Sequence, residues 1–320
     1  MLLQLLILAG SFLLLSWAAN WLVRGIEDIS KYLQWKSFVV AFFIMAIGGT
    51  IPNLFLGISS AFHGVPELSF GDMIGNNMVT LTVVIMAAVL FSGAILTDSK
   101  IIQKATLFTM IAVILPLLLV ADGTLGRGDA IALMLVFAAY VIWLFSKRKH
   151  FGDLVEEQEQ ELTPTRSFRK FLKALVLVSA GLVMLIGAAE GIVRATSFFS
   201  LQLSIPLAYM GILVTGFVNA IPEAYFSVVA ARRKQNWIVL GSILGAVMFP
   251  ATFVMGTVAL IHPIEITEFS AFAIGRAFLL IAALLFLIFV KTAQKISNRE
   301  ALLLFLLYVL FLFTQIKLMG

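Results

Sequence analysis

Apolar residues occupy this chain in long unbroken blocks, and polar residues gather in the gaps between them. A helix needs about 20 predominantly apolar residues to cross the hydrocarbon core of a bilayer. Ten blocks meet that requirement, approximately over 2–23, 37–61, 69–95, 101–121, 128–146, 171–193, 205–231, 236–261, 268–290 and 300–317. Each predicts a membrane-spanning helix, so the expected class is an all-α membrane protein. The one long polar stretch runs from Lys147 to Lys170, with a basic cluster, an acidic run and Pro164, and reads as a solvated connector.

Composition agrees with lipid as the solvent. Of the 320 residues, 61% are hydrophobic and 12% charged, against about 25% charged in an ordinary soluble domain. The absence of cysteine excludes disulfide frameworks, thiolate metal sites and cysteine nucleophiles. The net charge of +5 is no sign of nucleic-acid binding, because the basic residues sit in short loops between apolar blocks. The N-terminal block lacks a basic leader and a small-residue cleavage site, so it reads as a retained first membrane helix. With the N-terminus outside, 18 of the 22 basic residues fall on the cytoplasmic side, and Arg127, Arg194, Arg276 and Lys317 are left outside. The positive-inside rule therefore predicts N-out and C-out, and the short compact chain without targeting segments is read as a protein of a prokaryotic plasma membrane.

Displaced by 170 residues, the sequence meets itself without a gap from Ala18 to Thr82. Arg24 falls on Arg194, Ile51-Pro52 on Ile221-Pro222, Gly71 on Gly241, Gly75 on Gly245, Met78 on Met248 and Thr82 on Thr252. Apolar matches arise easily by chance, whereas prolines and glycines at one fixed offset do not. The expected organisation is a first half over 1–150, a cytoplasmic linker over 151–170 and a second half over 171–320. Five helices per half is an odd number, so the second half must enter the membrane upside down. Inverted repeats of this kind place a substrate site near the midplane and suit alternating access.

The chemistry concentrates in two pairs of segments. The second helix of each half carries a mid-helix proline, in AIGGTIPNLFLGISS (46–60) and GFVNAIPEAYFSVVA (216–230). Proline removes a backbone donor and breaks the preceding turn, and carbonyls freed at membrane depth must face protein, water or an ion. Asn53 and Glu223 directly follow the prolines, and Gly49 with Thr50, or Asn219 with Ala220, precede them. An ionisable group at that depth marks a pathway more often than not, which singles out Glu223. The third helices open with GDMIGNNMVTL (71–81) and GSILGAVMFPA (241–251), whose glycines four apart permit close helix approach. Asn76 and Thr80 share one face there. Asn20 and its match Glu190 either line the path or bond across helices. Asp72 and His63 are read as lying near the outer mouth, with Asp72 a candidate for ion access and His63 a bystander.

These segments resemble the alpha repeats of the calcium/cation antiporter superfamily, especially prokaryotic sodium/calcium exchangers. There the second helices carry a pattern like G-T-S-L-P-E and the third helices one like G-N-x-I-G-S-N. The resemblance extends to the helix count, the N-out orientation and the central loop. It implies that Glu223 is a direct ion ligand, that Thr50 matches a ligand serine with Gly49 before it, and that Asn219 and Ala220 stand for threonine and serine. Asn76 takes the place of a serine and Thr80 of an asparagine or aspartate, while Ala246 and Pro250 replace a serine and an acidic or amide residue. Asn53 stands where the family has a second glutamate.

That last departure leaves a site of charge −1, which neutralises a monovalent cation and leaves a divalent one half-compensated. Calcium stays open through waters or another acid such as Glu190. The resemblance implies a secondary active cation antiporter whose substrates are Na+, Ca2+, K+ or H+, with no cofactor and no enzymatic activity. Its partners are small inorganic cations and the lipid bilayer, and selectivity is altered by Asn53. The competing reading is a non-transporting or regulatory membrane homologue with a degraded ion site. No Ser/His pair or His/Asp cluster at membrane depth supports an enzyme.

Overall fold

The computed structural model describes residues 1–33, 37–97, 99–146, 168–266, 269–292 and 294–319, and the expected linker over 151–170 falls almost wholly outside them. Helices α1 to α10 follow in chain order as Leu2–Leu33, Ser37–Phe62, Pro66–Ser92, Lys100–Leu119, Arg127–Ser146, Phe168–Leu203, Leu207–Arg232, 236–261, Phe269–Thr292 and Asn298–Met319. Among the described residues nine helices are long and apolar enough to cross a membrane. The remaining one, α2, is 26 residues long and contains Pro52. The chain is an all-helical, multi-pass membrane protein.

Two helices exceed their sequence-based lengths. The blocks over 2–23 and 171–193 become helices of 32 and 36 residues, about 48 and 54 Å at 1.5 Å per residue. Hydropathy ends near Arg24 and Arg194, but neither extension contains a proline, so nothing stops the hydrogen-bond ladder at the membrane surface.

These long helices lie antiparallel against each other. Gly25 approaches Ala174 and Val178, Gly181 approaches Ala18 and Leu22, and Gly191 approaches Ser11. Their buried side chains, among them Leu15, Ala18, Leu22, Leu185, Ala188 and Ile192, form a core with parts of α2, α3 and α7. A second, larger core joins α2–α5 to α7–α10 through residues such as Phe70, Met78, Val113, Val247, Phe286 and Phe311. Outward-facing leucines, valines and isoleucines, such as Leu13, Val183, Leu284 and Leu310, are left exposed as a lipid-facing surface requires.

Two short antiparallel sheets tie distant loops together: β1 (Ala94–Leu96) with β4 (Lys295–Ser297), and β2 (Thr124–Leu125) with β3 (Ile264–Glu265). Three helices carry wide π turns, at Thr80–Val84 in α3, Met210–Thr215 in α7 and Pro250–Val254 in α8. A threonine hydroxyl within each bonds back four residues, from Thr82 to Met78 O, from Thr215 to Gly211 O and from Thr252 to Met248 O. The π turns at 80–84 and 250–254 are 170 residues apart.

The closest approach in the larger body is between α3 and α7. A Cβ on Gly71 would lie 2.7 Å from Ala208 O, one on Gly211 2.5 Å from Leu68 O, and one on Gly216 2.6 Å from Asn76 N. A Cβ on Gly75 would overlap the Ile212 carbonyl outright. The glycine spacing of the first copy thus serves backbone-to-backbone contact, with only main-chain atoms on the facing side, whereas the close approach expected at Gly241 and Gly245 is not seen, since nothing lies within 4 Å of a Cβ at either. Gly75→Ala is therefore expected to lower stability by about 2–3 kcal/mol. Thermal unfolding in detergent checks this, with Gly10→Ala as the control because nothing lies within 4 Å of its Cβ position; equal melting temperatures for the two variants would refute the contact.

Candidate cation site

α2 and α7 bring their prolines together. Pro52 and Pro222 line one cavity of about 80 Å³ with Asn20, Ser16 and Asn219, large enough to admit water. The two halves differ locally. α7 breaks at Ala220, between the segments Gly216–Asn219 and Ile221–Arg232, and its helix restarts with Ala224 N donating to Ala220 O at 3.0 Å. α2 runs on through Pro52, so the break expected there is not seen. The flanking turns of α2 hold the chain in helical geometry while the proline still withholds one donor.

The expected ligands are buried with their oxygens free. Thr50 and Asn53 are each 1% exposed, Asn76 and Thr80 fully buried, Asn219 4% and Glu223 5% exposed. Among the described residues, Thr50 Oγ1, both side-chain polar atoms of Asn53, Asn76 Oδ1, Thr80 Oγ1, Asn219 Oδ1 and both carboxylate oxygens of Glu223 have no hydrogen-bond partner. Buried polar atoms are nearly always paired, because each unsatisfied one costs about 1–3 kcal/mol. Six positions on three packed helices, α2, α3 and α7, violate that rule, which points to a ligand that supplies the missing interactions. An array of hydroxyl, amide and carboxylate oxygens suits a hard cation. Gly49 lies just before the described side chains of α2, and its surroundings are outside the described residues.

Amides fix the arrangement. Asn76 Nδ2 donates to Ala246 O at 3.5 Å and Asn77 Nδ2 to Val247 O at 3.3 Å, each across a separation of 170 residues. Their donors are spent on α8, and the free oxygens remain. Asn219 Nδ2 donates to Asp72 Oδ1 at 2.8 Å.

That bond corrects the expectation for Asp72. It is 3% exposed and bonded to α7, rather than lying in a wet outer mouth. Thr215 also interacts with it. The signal was present in the sequence: Asp72, Asn76 and Thr80 follow one another at four-residue steps, as do Thr215, Asn219 and Glu223. Extending the Asn76–Thr80 face back by one turn reaches Asp72.

Glu190 lies outside this set. Its Oε1 is 2.6 Å from Arg194 Nε and 3.0 Å from His63 Nε2, and its Oε2 accepts from Ser59 Oγ at 3.3 Å. With its oxygens so engaged, it ties α6 to the end of α2 and is not free to join the central ligands. His63, expected to be a bystander, is part of that tie. Asn20 donates to Ser16 O on its own helix while lining the cavity between the prolines.

The sequence profile described as sodium/calcium exchanger protein matches residues 3–146 and again 173–317. The chain belongs to the sodium/calcium exchanger family. Among curated proteins the exchanger chain is 26% identical over 300 residues to the uncharacterized membrane protein MJ0091 of Methanocaldococcus jannaschii, covering 93% of each chain. Among solved structures it superimposes on the sodium-calcium exchanger NCX_Mj, soaked with sodium and strontium, with a TM-score of 0.62 and 24% identity, covering 95% of this chain and 97% of that one. It also superimposes on an H+/Ca2+ exchanger, CAX, with a TM-score of 0.74 at 15% identity, covering 98% and 86%. Members of this family are transporters, not enzymes, and inorganic cations are their substrates rather than cofactors.

Within this family member, the Asn219–Asp72 bond is a polar link between α7 and α3 at the site, beside the Thr215 interaction. Replacing Asn219 by Leu removes the donor and leaves Asp72 buried without it. The expected loss is about 1.5–3 kcal/mol, the range for hydrogen bonds to charged groups. Asn53→Leu removes an amide that has no partner and is expected to leave stability unchanged or raised. Comparing the two melting temperatures in detergent, without added cations, decides whether Asn219 carries that load.

Proposed function

We propose that this exchanger-family chain is a secondary active cation antiporter working by alternating access around Glu223. The observation that carries this reading is the cluster of buried, unpartnered oxygens on α2, α3 and α7, centred on a carboxylate at membrane depth. Thr50, Asn53, Asn76, Thr80, Asn219, Glu223 and the Gly49 backbone form the ligand set. Ions bind there from either side in turn, and a proton on Glu223 competes with metal.

The reading includes two inverted five-helix repeats over 1–150 and 171–320, N-out and C-out in the plasma membrane. Several features support the repeat. The family profile matches each half separately. Two π turns, and the partners in the Asn76 and Asn77 bonds, recur at an offset of 170. The strand pairs follow the same shift, since β1 displaced by 170 falls on β3 and β2 falls next to the start of β4. The antiparallel α1–α6 pair, which packs on α2, α3 and α7 through a core separate from the larger one, is the element that slides or rocks past the rest.

Proteoliposomes loaded and diluted to impose sodium, potassium, calcium or proton gradients test this. At least one gradient should drive counter-flux of another cation, and Glu223→Gln should abolish it while the protein stays folded. No counter-flux under any pair of gradients would sink the antiporter reading in favour of a non-transporting homologue.

A further inference from the structure

The sequence counts one acid in the site, Glu223, and hence a charge that suits a monovalent ion. The structure supplies another. Asp72 enters from α3, is 3% exposed, and is held by Asn219, which stands one helical turn before Glu223 on α7. Asp72 and Glu223 are near enough for their charges to act on each other. Neither has a lysine, arginine or histidine among its interacting groups. Among the described residues no third acid or histidine joins them in a cluster.

We infer that Asp72 is the second negative charge of the cation site, standing in for the carboxylate that Asn53 lacks, and that it is the residue by which this site compensates a divalent cation. This deepens the antiporter reading and rests on it. Two carboxylates at membrane depth with no basic partner need about two positive charges from elsewhere, because uncompensated charge in a low-dielectric interior is strongly unfavourable. A divalent ion supplies both at once. The free oxygens complete its coordination: Glu223 contributes two, and Asn53, Thr50, Asn76, Thr80 and Asn219 one each, matching the six to eight that a calcium-sized ion takes.

The position is specific to one half. The residue matching Asp72 at the 170-residue shift is Ser242, whose hydroxyl is spent on Val239 O and on Ser227. The residue matching Glu223 is Asn53, which is neutral. Each half therefore keeps one acid at the site, on α3 in the first and on α7 in the second. Asn219 connects them: its Nδ2 orients Asp72 while its Oδ1 stays free to ligate. A carboxylate fixed by an amide in this way keeps its other lone pairs for a cation.

Calcium and sodium titrations of the purified full chain by calorimetry test the inference, on wild type, Asp72→Asn, Asp72→Ser and Glu223→Gln. Asp72→Asn keeps the acceptor for Asn219 and removes the charge, and Asp72→Ser installs the residue of the matching position. Both should weaken calcium binding roughly tenfold or more, since ligand charge count sets calcium affinity, while sodium binding falls less. Adding Asn53→Glu to Asp72→Asn should restore part of the calcium affinity. Calcium binding that survives both Asp72 changes but is lost in Glu223→Gln overturns this inference and leaves the antiporter standing. Sodium binding without any calcium binding in wild type overturns it as well. If Glu223→Gln alters neither binding nor counter-flux, the antiporter reading itself is lost. Should the Asp72 variants not fold, an experimental structure of wild type with calcium decides: an ion touching the Asp72 carboxylate, directly or through one water, supports the assignment, and an ion remote from it refutes it.

Discussion

Main-chain contact between α3 and α7 is the constraint on which the site depends. Gly71 and Gly75 meet Ala208, Gly211, Ile212 and Gly216 with no side chain between them. At such separations a short aspartate on one helix reaches a short asparagine on the other, which is how Asp72 and Asn219 come to 2.8 Å. Helices in lipid gain little from burying apolar faces against one another, so close van der Waals contact and polar links hold them. Here both are made by the same pair of helices. Any side chain larger than hydrogen at Gly75 separates the acids as well as the helices.

The polar interior is organised by donors rather than by charges. Asn76 and Asn77 spend their N–H groups on α8 carbonyls, and Asn219 spends one on Asp72. The amide oxygen of each is left buried without a protein partner among the described residues. The π turns beside Thr80, Thr215 and Pro250 belong to the same region, and wide turns of this kind recur at functional sites in helices. At the periphery the pattern reverses: Glu190 is fully engaged by Arg194, His63 and Ser59, and it holds α6 to α2. Glu190, tied to a basic partner, is structural, whereas Glu223 keeps both of its oxygens free of protein partners among the described residues.

Much of the site was legible because prolines and glycines leave marks that no apolar background imitates. Pro52 and Pro222 point directly to Asn53 and Glu223, and the shared offset points to Thr50 and Asn219. Asp72 reads as water-accessible in the sequence because it lies near the start of α3, yet it is buried against Asn219. Depth along a helix does not measure exposure when a second backbone lies against that helix. Likewise α1 and α6 outrun their apolar blocks, since helix formation needs only compatible residues and not lipid.

From the sequence alone follow the ten helices, the membrane as solvent, the duplicated proline and glycine motifs and the carboxylate at position 223. Each of these rests on local composition or on spacing along one chain, which a single helix already expresses. The meeting of Pro52 with Pro222, the burial of Asp72 against Asn219 and the exclusion of Glu190 from the site were settled only in three dimensions. They depend on which helix faces bear on one another and how closely, and that is fixed by glycines on two helices acting together rather than by either segment alone.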